Sequence, residues 1–121
     1  MKINKLSLDL IVDDVSRSIG FYTELGFEKI MGDSNFAKLK AGTSEIMLML
    51  KSDFEKEVPS LNRPKNEGLF VLVIEVEDIE EIYEKIKNRI NLLRELQSTD
   101  YGTKEFMFED PDGYLVQFTQ H

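Results

Sequence analysis

An internal repeat constrains the fold of this chain more than any other feature. Val12-Asp13-Asp14-Val15 matches Val76-Glu77-Asp78-Ile79 at an offset of 64 residues. In each half, the hydrophobic pattern indicates a strand, a helix and then three strands. A length of 121 residues suits one domain built from two such copies. The repeat therefore predicts an α+β fold with modules at about 1–51 and 68–121, joined by a linker over 52–67.

The first half alternates apolar and polar side chains from Lys5 to Asp13, which is typical of a strand. Asp14 is a suitable N-cap for a helix over 15–25, and Gly26 stands where a helix often ends. Three strands follow, and the last is apolar on both faces, which favours a central position in the sheet. Their predicted ranges are 27–31, 36–40 and 45–50. The polar segment 52–67 contains Pro59 and Pro64 and is typical of a linker.

The second half repeats this order. Residues 69–76 form an apolar run rich in Val, which predicts a buried strand. Asp78 is placed to cap the helix that follows, whose isoleucines recur at helical spacing. Strands are predicted over 91–97, 104–109 and 114–119. The sequence Asp110-Pro111-Asp112-Gly113 has the composition of a tight turn between the last two strands.

Charge and rare residues exclude several classes of function. Lys and Arg number 15 against 23 Asp and Glu, a net charge of −8, which repels nucleic acid and anionic membranes. The chain has no Cys, and its only His is His121, so disulfides, thiolate chemistry and an internal His base or ligand are excluded. No apolar run of 18 residues and no signal-like N-terminus occur. We expect a cytoplasmic protein.

Three segments carry a resemblance to a known family: IVDDVSRSIGFYTELGF (11–27), VIEVEDIEEIYEKI (73–86) and YGTKEFMFEDPDGYLVQF (101–118). With them the chain resembles the vicinal oxygen chelate superfamily, which includes glyoxalases, bleomycin resistance proteins and extradiol dioxygenases. The resemblance implies two tandem βαβββ modules that form a cupped mixed sheet with a cleft and with helices on its outer face. It also implies a homodimer.

The resemblance also implies where a metal would be bound, and these positions do not carry the usual ligands. The His seven residues before each helix-capping Asp is replaced by Ser7 in one module and by Val71 in the other. The acid four residues after the glycine of the tight turn is replaced by Gln117. The strand that supplies the remaining ligand, 46–50, contains only Ile, Met and Leu. Because divalent ions prefer imidazole and carboxylate ligands, we predict no metal and no cofactor.

Strand alternation nominates residues that line the cleft. Ser7 and Asp9 share a face of the first strand, Met47 and Met49 share a face of their strand, and Tyr101 lies in a loop before Gly102. These five residues and Gln117 form the predicted ligand-binding set of six. Glu75 and Thr119 are further polar candidates. Asp9 and Glu75 also fit solvated positions, the two methionines also fit a plain core, and Tyr101 also fits an exposed loop.

The sequence is compatible with three hypotheses of function. The favoured hypothesis is a metal-free protein that binds a small molecule and, like bleomycin resistance proteins, sequesters a drug, with no catalytic residue. The second hypothesis is a metal-dependent lyase or isomerase similar to lactoylglutathione lyase. The third is a non-catalytic accessory protein whose modules only build a dimer interface. The sequence identifies neither the ligand nor whether the modules pair within one chain or between two.

Overall fold

The structure of the protein is a computed structural model that describes residues 2–4, 6–57 and 70–121. The chain divides into two compact units, Met1–Arg63 and Pro64–His121. Each unit contains one four-stranded mixed sheet. In both units the chain forms one strand, one helix and then three strands. The described residues therefore confirm the predicted α+β class with two βαβββ modules.

The first unit has a sheet with the strand order β1-β4-β3-β2. Strands β1 and β4 are parallel, and β2, β3 and β4 form an antiparallel meander. The predicted central position of β4 is confirmed, because it lies between β1 and β3. The elements are β1 (Leu8–Val12), α1 (Val15–Glu24), β2 (Glu28–Gly32), β3 (Phe36–Ala41), β4 (Ser44–Leu50) and α2 (Lys51–Glu57).

The second unit repeats this topology with the strand order β5-β8-β7-β6. Strand β5 is parallel to β8, and β6, β7 and β8 are antiparallel neighbours. The predicted boundaries are reproduced to within two residues at most strand ends. The elements are β5 (Val71–Glu75), α3 (Ile79–Ile86), β6 (Asn91–Ser98), β7 (Lys104–Glu109) and β8 (Leu115–Gln120).

Helix α1 begins and ends as its sequence predicts. The Asp14 carboxylate accepts a hydrogen bond from the Arg17 amide at 3.1 Å, which satisfies one of the free N–H groups of the first turn. Gly26 follows the helix with φ of +101°, a conformation that glycine adopts without a steric penalty. Tyr22 on this helix is fully buried and packs against Phe27.

An aromatic cluster forms the core of the second unit. Phe106, Phe108 and Phe118 are at most 2% exposed, and their ring centroids lie 5.3–5.7 Å apart. Tyr83 of α3 contacts Phe106 edge to face at 5.0 Å, so α3 covers this side of the sheet. The opposite side, which carries Val73, Glu105, Met107, Gln117 and Thr119, is called the distal face below.

Three predictions of local structure are wrong. Strand β5 is an edge strand rather than a buried one, and Val71, Val73 and Glu75 are exposed. Asp78 makes no side-chain cap and adopts φ of +56°; the Ile79 amide instead donates to Gln120 Oε1 at 2.7 Å.

The third error, the start of β1, and one helix that was not predicted both lie in the first unit. The predicted linker begins with a helix, α2, while its remainder over 58–67 lies outside the described residues. Strand β1 starts at Leu8, so Ser7 precedes it. The polar composition of 52–57 concealed a short helix whose contacts are with β1 and β4.

The aromatic cluster predicts a strong asymmetry between two Phe→Ala substitutions. Phe106→Ala removes a ring that is 0% exposed and should lower the free energy of unfolding by about 3–5 kcal/mol, because a cavity remains. Phe70→Ala, at a 37% exposed ring, should cost about 1 kcal/mol or less. Urea denaturation measures both, and equal losses would contradict the assignment of the core.

Candidate functional site

A buried carboxylate organises the distal face. Glu105 lies on β7 with a side chain that is only 5% exposed, and a charge in such a place requires hydrogen-bonding partners. Four side chains supply them. They are Arg94 Nη2 at 3.1 Å and Tyr101 Oη at 3.0 Å, which donate to Oε1, and Thr103 Oγ1 at 3.2 Å and Gln117 Nε2 at 3.4 Å, which donate to Oε2.

Gln117 is held at both ends of its amide group. Its Oε1 accepts a hydrogen bond from Arg94 Nη2 at 3.1 Å, and its Nε2 donates to Thr119 Oγ1 at 3.0 Å. Thr119 is itself buried. The amide therefore has one orientation that satisfies its neighbours, and its oxygen faces a guanidinium group.

The loop between β6 and β7 closes one end of this network. Thr99 Oγ1 and Thr103 Oγ1 are 2.7 Å apart, and the Thr103 amide donates to Thr99 Oγ1 at 3.1 Å. This short bridge fixes the loop so that Tyr101 Oη reaches Glu105, although 73% of Tyr101 is exposed. Tyr101 is thus mostly exposed to solvent, while its hydroxyl contacts the buried carboxylate.

Two irregularities in β6 direct Arg94 to the distal face. Leu92 pairs with Phe108 and Arg94 pairs with Met107, so one extra residue is inserted between these pairs. A second irregularity lies between Arg94 and Gln97. Because a bulge reverses the alternation of side chains, Arg94 shares the face of Met107 and not that of Leu92.

The same cross-strand row exists in both units. In the second sheet it runs Val73–Gln117–Met107–Arg94, and in the first it runs Asp9–Met47–Lys38–Met31. The bulge that directs Arg94 also has a counterpart in β2, between Lys29 and Met31. The repeat therefore extends to the register of the strands, while the chemistry of the two rows differs.

The row in the first unit contains a perturbed acid. Asp9 is exposed overall, yet partial burial raises the pKa of its carboxyl above the ordinary value, and the charge of Glu57 in α2 raises it further. Asp9 pairs with Met47, and Ile11 pairs with Met49. This face of the first sheet therefore combines thioethers and one carboxylate that is costly to ionise.

The six predicted ligand-binding residues fall into two groups. Tyr101 and Gln117 are brought together in the second unit, because both donate to Glu105. Asp9, Met47 and Met49 share one face in the first unit, and Ser7 is exposed just before it. Of the two further polar candidates, Thr119 joins the network through Gln117, whereas exposed Glu75 lies 3.6 Å from His121. Binding by these residues stays a prediction.

Sequence reasoning missed Arg94 and Glu105, the two charged members of the network. Glu105 carries a usable signal, since it alternates with Phe106 and Phe108 in a strand and must then face away from the helix. Arg94 carries no such signal. Strict alternation from Leu92 places it on the α3 side, and only the bulge corrects this.

The donor set does not fit a divalent cation. Val71 and Gln117 stand at positions where the family resemblance implies metal ligands. Val71 provides no donor atom. Gln117 Oε1 already accepts a hydrogen bond from the Arg94 guanidinium, whose positive charge repels a metal cation. Ser7 offers a neutral hydroxyl and Met47 a soft thioether, which suit hard or borderline ions poorly. Over the described ranges, no three His, Cys, Asp or Glu side chains converge in a manner that could hold a metal ion.

None of the three helices in the described part of the chain has the length and apolar character that a membrane span requires.

The Arg94–Glu105 pair predicts a measurable coupling energy. In a double-mutant cycle with Arg94→Met and Glu105→Gln, the coupling should be about 1–2 kcal/mol, because one partner is buried and the other is 39% exposed. The exposed Glu84–Lys87 pair, 2.9 Å apart, should show below about 0.5 kcal/mol in the matched cycle. Urea denaturation gives both values, and equal couplings would contradict a special role for Glu105.

The raised pKa of Asp9 predicts a pH-dependent effect of Asp9→Asn. Since the folded state holds the proton more tightly than the unfolded state, ionisation of Asp9 opposes folding above the raised pKa. Asp9→Asn should therefore raise Tm at pH 7, and the gain should vanish below the unfolded pKa of 3.8. Asp100→Asn, at an exposed loop residue, is the control. A gain that persists in acid would contradict this cause.

Solved structures share the fold at low sequence identity. A protein of unknown function from Agrobacterium tumefaciens superposes with a TM-score of 0.85 at 19% identity, covering 100% of this chain and 96% of that one. A hypothetical protein from S. aureus gives 0.82 at 24% identity, with coverage of 100% and 96%. A lactoylglutathione lyase from Agrobacterium tumefaciens gives 0.75 at 16% identity, with coverage of 99% and 95%.

No protein in the curated collection matches the sequence. The sequence profile of the Glyoxalase/Bleomycin resistance protein/Dioxygenase superfamily matches residues 2–118, nearly the whole chain. With the two βαβββ units, this match establishes that the chain belongs to the glyoxalase/bleomycin resistance protein/dioxygenase superfamily.

Proposed function

We propose that this protein binds a small organic molecule without a metal ion and sequesters it without chemical change. The binding surface is the distal face of the second sheet, where Glu105, Arg94, Gln117 and Tyr101 form a connected polar network. Ligand sites combine an apolar lining with a few fixed polar groups, and this face has both. Val73 is 62% exposed and lies in the same cross-strand row as Gln117 and Met107.

The observation that carries the proposal is the contact between Arg94 Nη2 and Gln117 Oε1 at 3.1 Å. Where the family resemblance implies an acid that binds a metal, this chain has an amide whose oxygen accepts from a cation. The same Arg94 nitrogen contacts Glu105 at 3.1 Å, so the nearest carboxylate is engaged as well. The positive charge at this position therefore comes from the Arg94 side chain, where the family resemblance implies a metal ion.

The first unit supports the same function in a different way. Met47 and Met49 offer flexible, polarisable side chains that adapt to ligands of varied shape. Asp9 and Lys38 add charged groups to the same cross-strand row. We include Asp9, the two methionines and Ser7 in the proposed binding set, as a second surface of the same receptor.

Thermal shift measurements test the proposal with two kinds of probe. The first kind is Zn²⁺, Ni²⁺, Mn²⁺ and Mg²⁺, each with and without chelator, and we expect no change in Tm. The second kind is a library of small aromatic and aliphatic molecules, in which at least one compound should raise Tm in a saturable manner, because a ligand that binds only the folded state stabilises it.

Three outcomes would overturn the proposal. Stoichiometric metal in protein purified without chelator, measured by plasma mass spectrometry, would favour the metal-dependent lyase. Conversion of a bound compound, followed by NMR, would show an enzyme. A library without any stabilising compound would favour the non-catalytic accessory protein.

A further inference from the structure

The donor groups of Arg94 are only partly used. A guanidinium carries five N–H groups, and the described residues accept hydrogen bonds only from Nη2, which contacts Glu105 and Gln117. Nε is buried and has no acceptor within the described chain. Nη1 has none there either, although the side chain is 39% exposed. The donor that remains for a ligand is therefore Nη1.

The guanidinium is fixed before any ligand arrives. Glu105 and Gln117 hold Nη2 from two sides, and Tyr101 and Thr103 hold Glu105 in turn. A side chain that is already immobilised loses little conformational entropy on binding. Arg94 thus has the rigid support that a recognition residue requires.

Local charge selects the kind of acceptor. Glu105 neutralises Arg94, and two further acids, Glu75 and Glu109, lie on the distal face by register. With a net charge of −8, the surrounding field opposes an anionic ligand, whereas Nη1 opposes a cationic one at contact. A neutral oxygen acceptor satisfies both conditions, and a carbonyl group is the common form of it.

Apolar groups beside Arg94 define the rest of the ligand. Met107 pairs with both Arg94 and Gln117, and exposed Val73 lies on the far side of Gln117. At about 4.8 Å between strands, the row from Val73 to Arg94 spans about 14 Å. This length suits a flat molecule of one or two rings with its carbonyl at one end.

We infer that Arg94 is the recognition residue of this face, donating from Nη1 to the carbonyl oxygen of a neutral, flat, apolar ligand that lies along Met107, Gln117 and Val73. Glu105 is the positioning residue, since it acts on the ligand only through Arg94. This inference rests on the proposed function and specifies the chemical class of its ligand.

Three probes of similar size test the preferred charge. They are 1-naphthamide, 1-naphthoate and 1-naphthylmethylamine, which share one ring system and are neutral, anionic and cationic. In ¹H–¹⁵N NMR titrations at millimolar concentration, 1-naphthamide should bind about tenfold more tightly than either charged probe. The ammonium group of 1-naphthylmethylamine cannot accept a hydrogen bond from Nη1, and the acids around Arg94 repel the carboxylate of 1-naphthoate. Binding of 1-naphthamide should also shift the Arg94 Nε–H resonance and the amides of Val73 and Met107.

Substitutions test the residues. Arg94→Met and Arg94→Lys should each weaken 1-naphthamide about tenfold, since lysine lacks the planar group that bridges Glu105 and Gln117. Glu105→Gln should weaken it less and broaden the Arg94 Nε–H resonance. Lys104→Met is the matched control, because Lys104 lies on β7 beside Glu105 but pairs with Glu80 of α3. This substitution should leave the affinity for 1-naphthamide unchanged. The amide spectrum of each variant verifies its fold.

The two proposals fail in different ways. If library compounds bind but Arg94→Lys leaves their affinity intact, or if they perturb only other surfaces, the role of Arg94 is wrong while small-molecule binding stands. Equal or tighter binding of a charged probe, or no binding of 1-naphthamide, overturns the assigned ligand class. If no compound of any class binds, the proposed function itself fails.

Discussion

The polar network of the second unit depends on the buried carboxylate of Glu105. A carboxylate that is 5% exposed costs several kcal/mol unless its lone pairs are engaged. Glu105 meets this condition with four donors from two strands and a loop. Each donor therefore gains a hydrogen bond in the rotamer that it adopts in the folded state. The positions of Arg94, Gln117 and Tyr101 are thus tied to a requirement of folding, and the proposed binding would use groups that folding has already placed.

The repeat explains how one backbone supports two different surfaces. Both sheets pair their strands in the same register and contain a bulge at the same place, between Lys29 and Met31 and between Leu92 and Arg94. Register depends on the apolar side that packs against a helix, and that side is preserved in both units. The opposite side is not under this constraint. Arg94 corresponds there to Met31, so a polar network and a thioether-rich surface arise from equivalent positions.

Much of the fold was predictable from sequence, and the site only in part. Period-two alternation identified β1, and Asp14 with Gly26 marked the ends of α1. The edge position of β5 was not predictable, since Val71 and Val73 read as core by composition although both are exposed. The sequence nominated Gln117 and Tyr101, but not the carboxylate of Glu105 that both contact. Arg94 was hidden for a physical reason: a bulge breaks the periodicity on which assignment of a face depends.

A cation supplied by the chain differs in its chemistry from a bound metal. A guanidinium donates hydrogen bonds in a fixed plane, whereas a divalent ion accepts lone pairs directly and lowers the pKa of bound water. Arg94 can therefore orient a carbonyl oxygen and stabilise negative charge on it, but it does not lower the pKa of a water molecule as a divalent ion does. The contact of Arg94 with Gln117 therefore places a hydrogen-bond donor, and not a Lewis acid, at this position. This difference in chemistry is the reason for proposing a receptor and not a metal-dependent lyase.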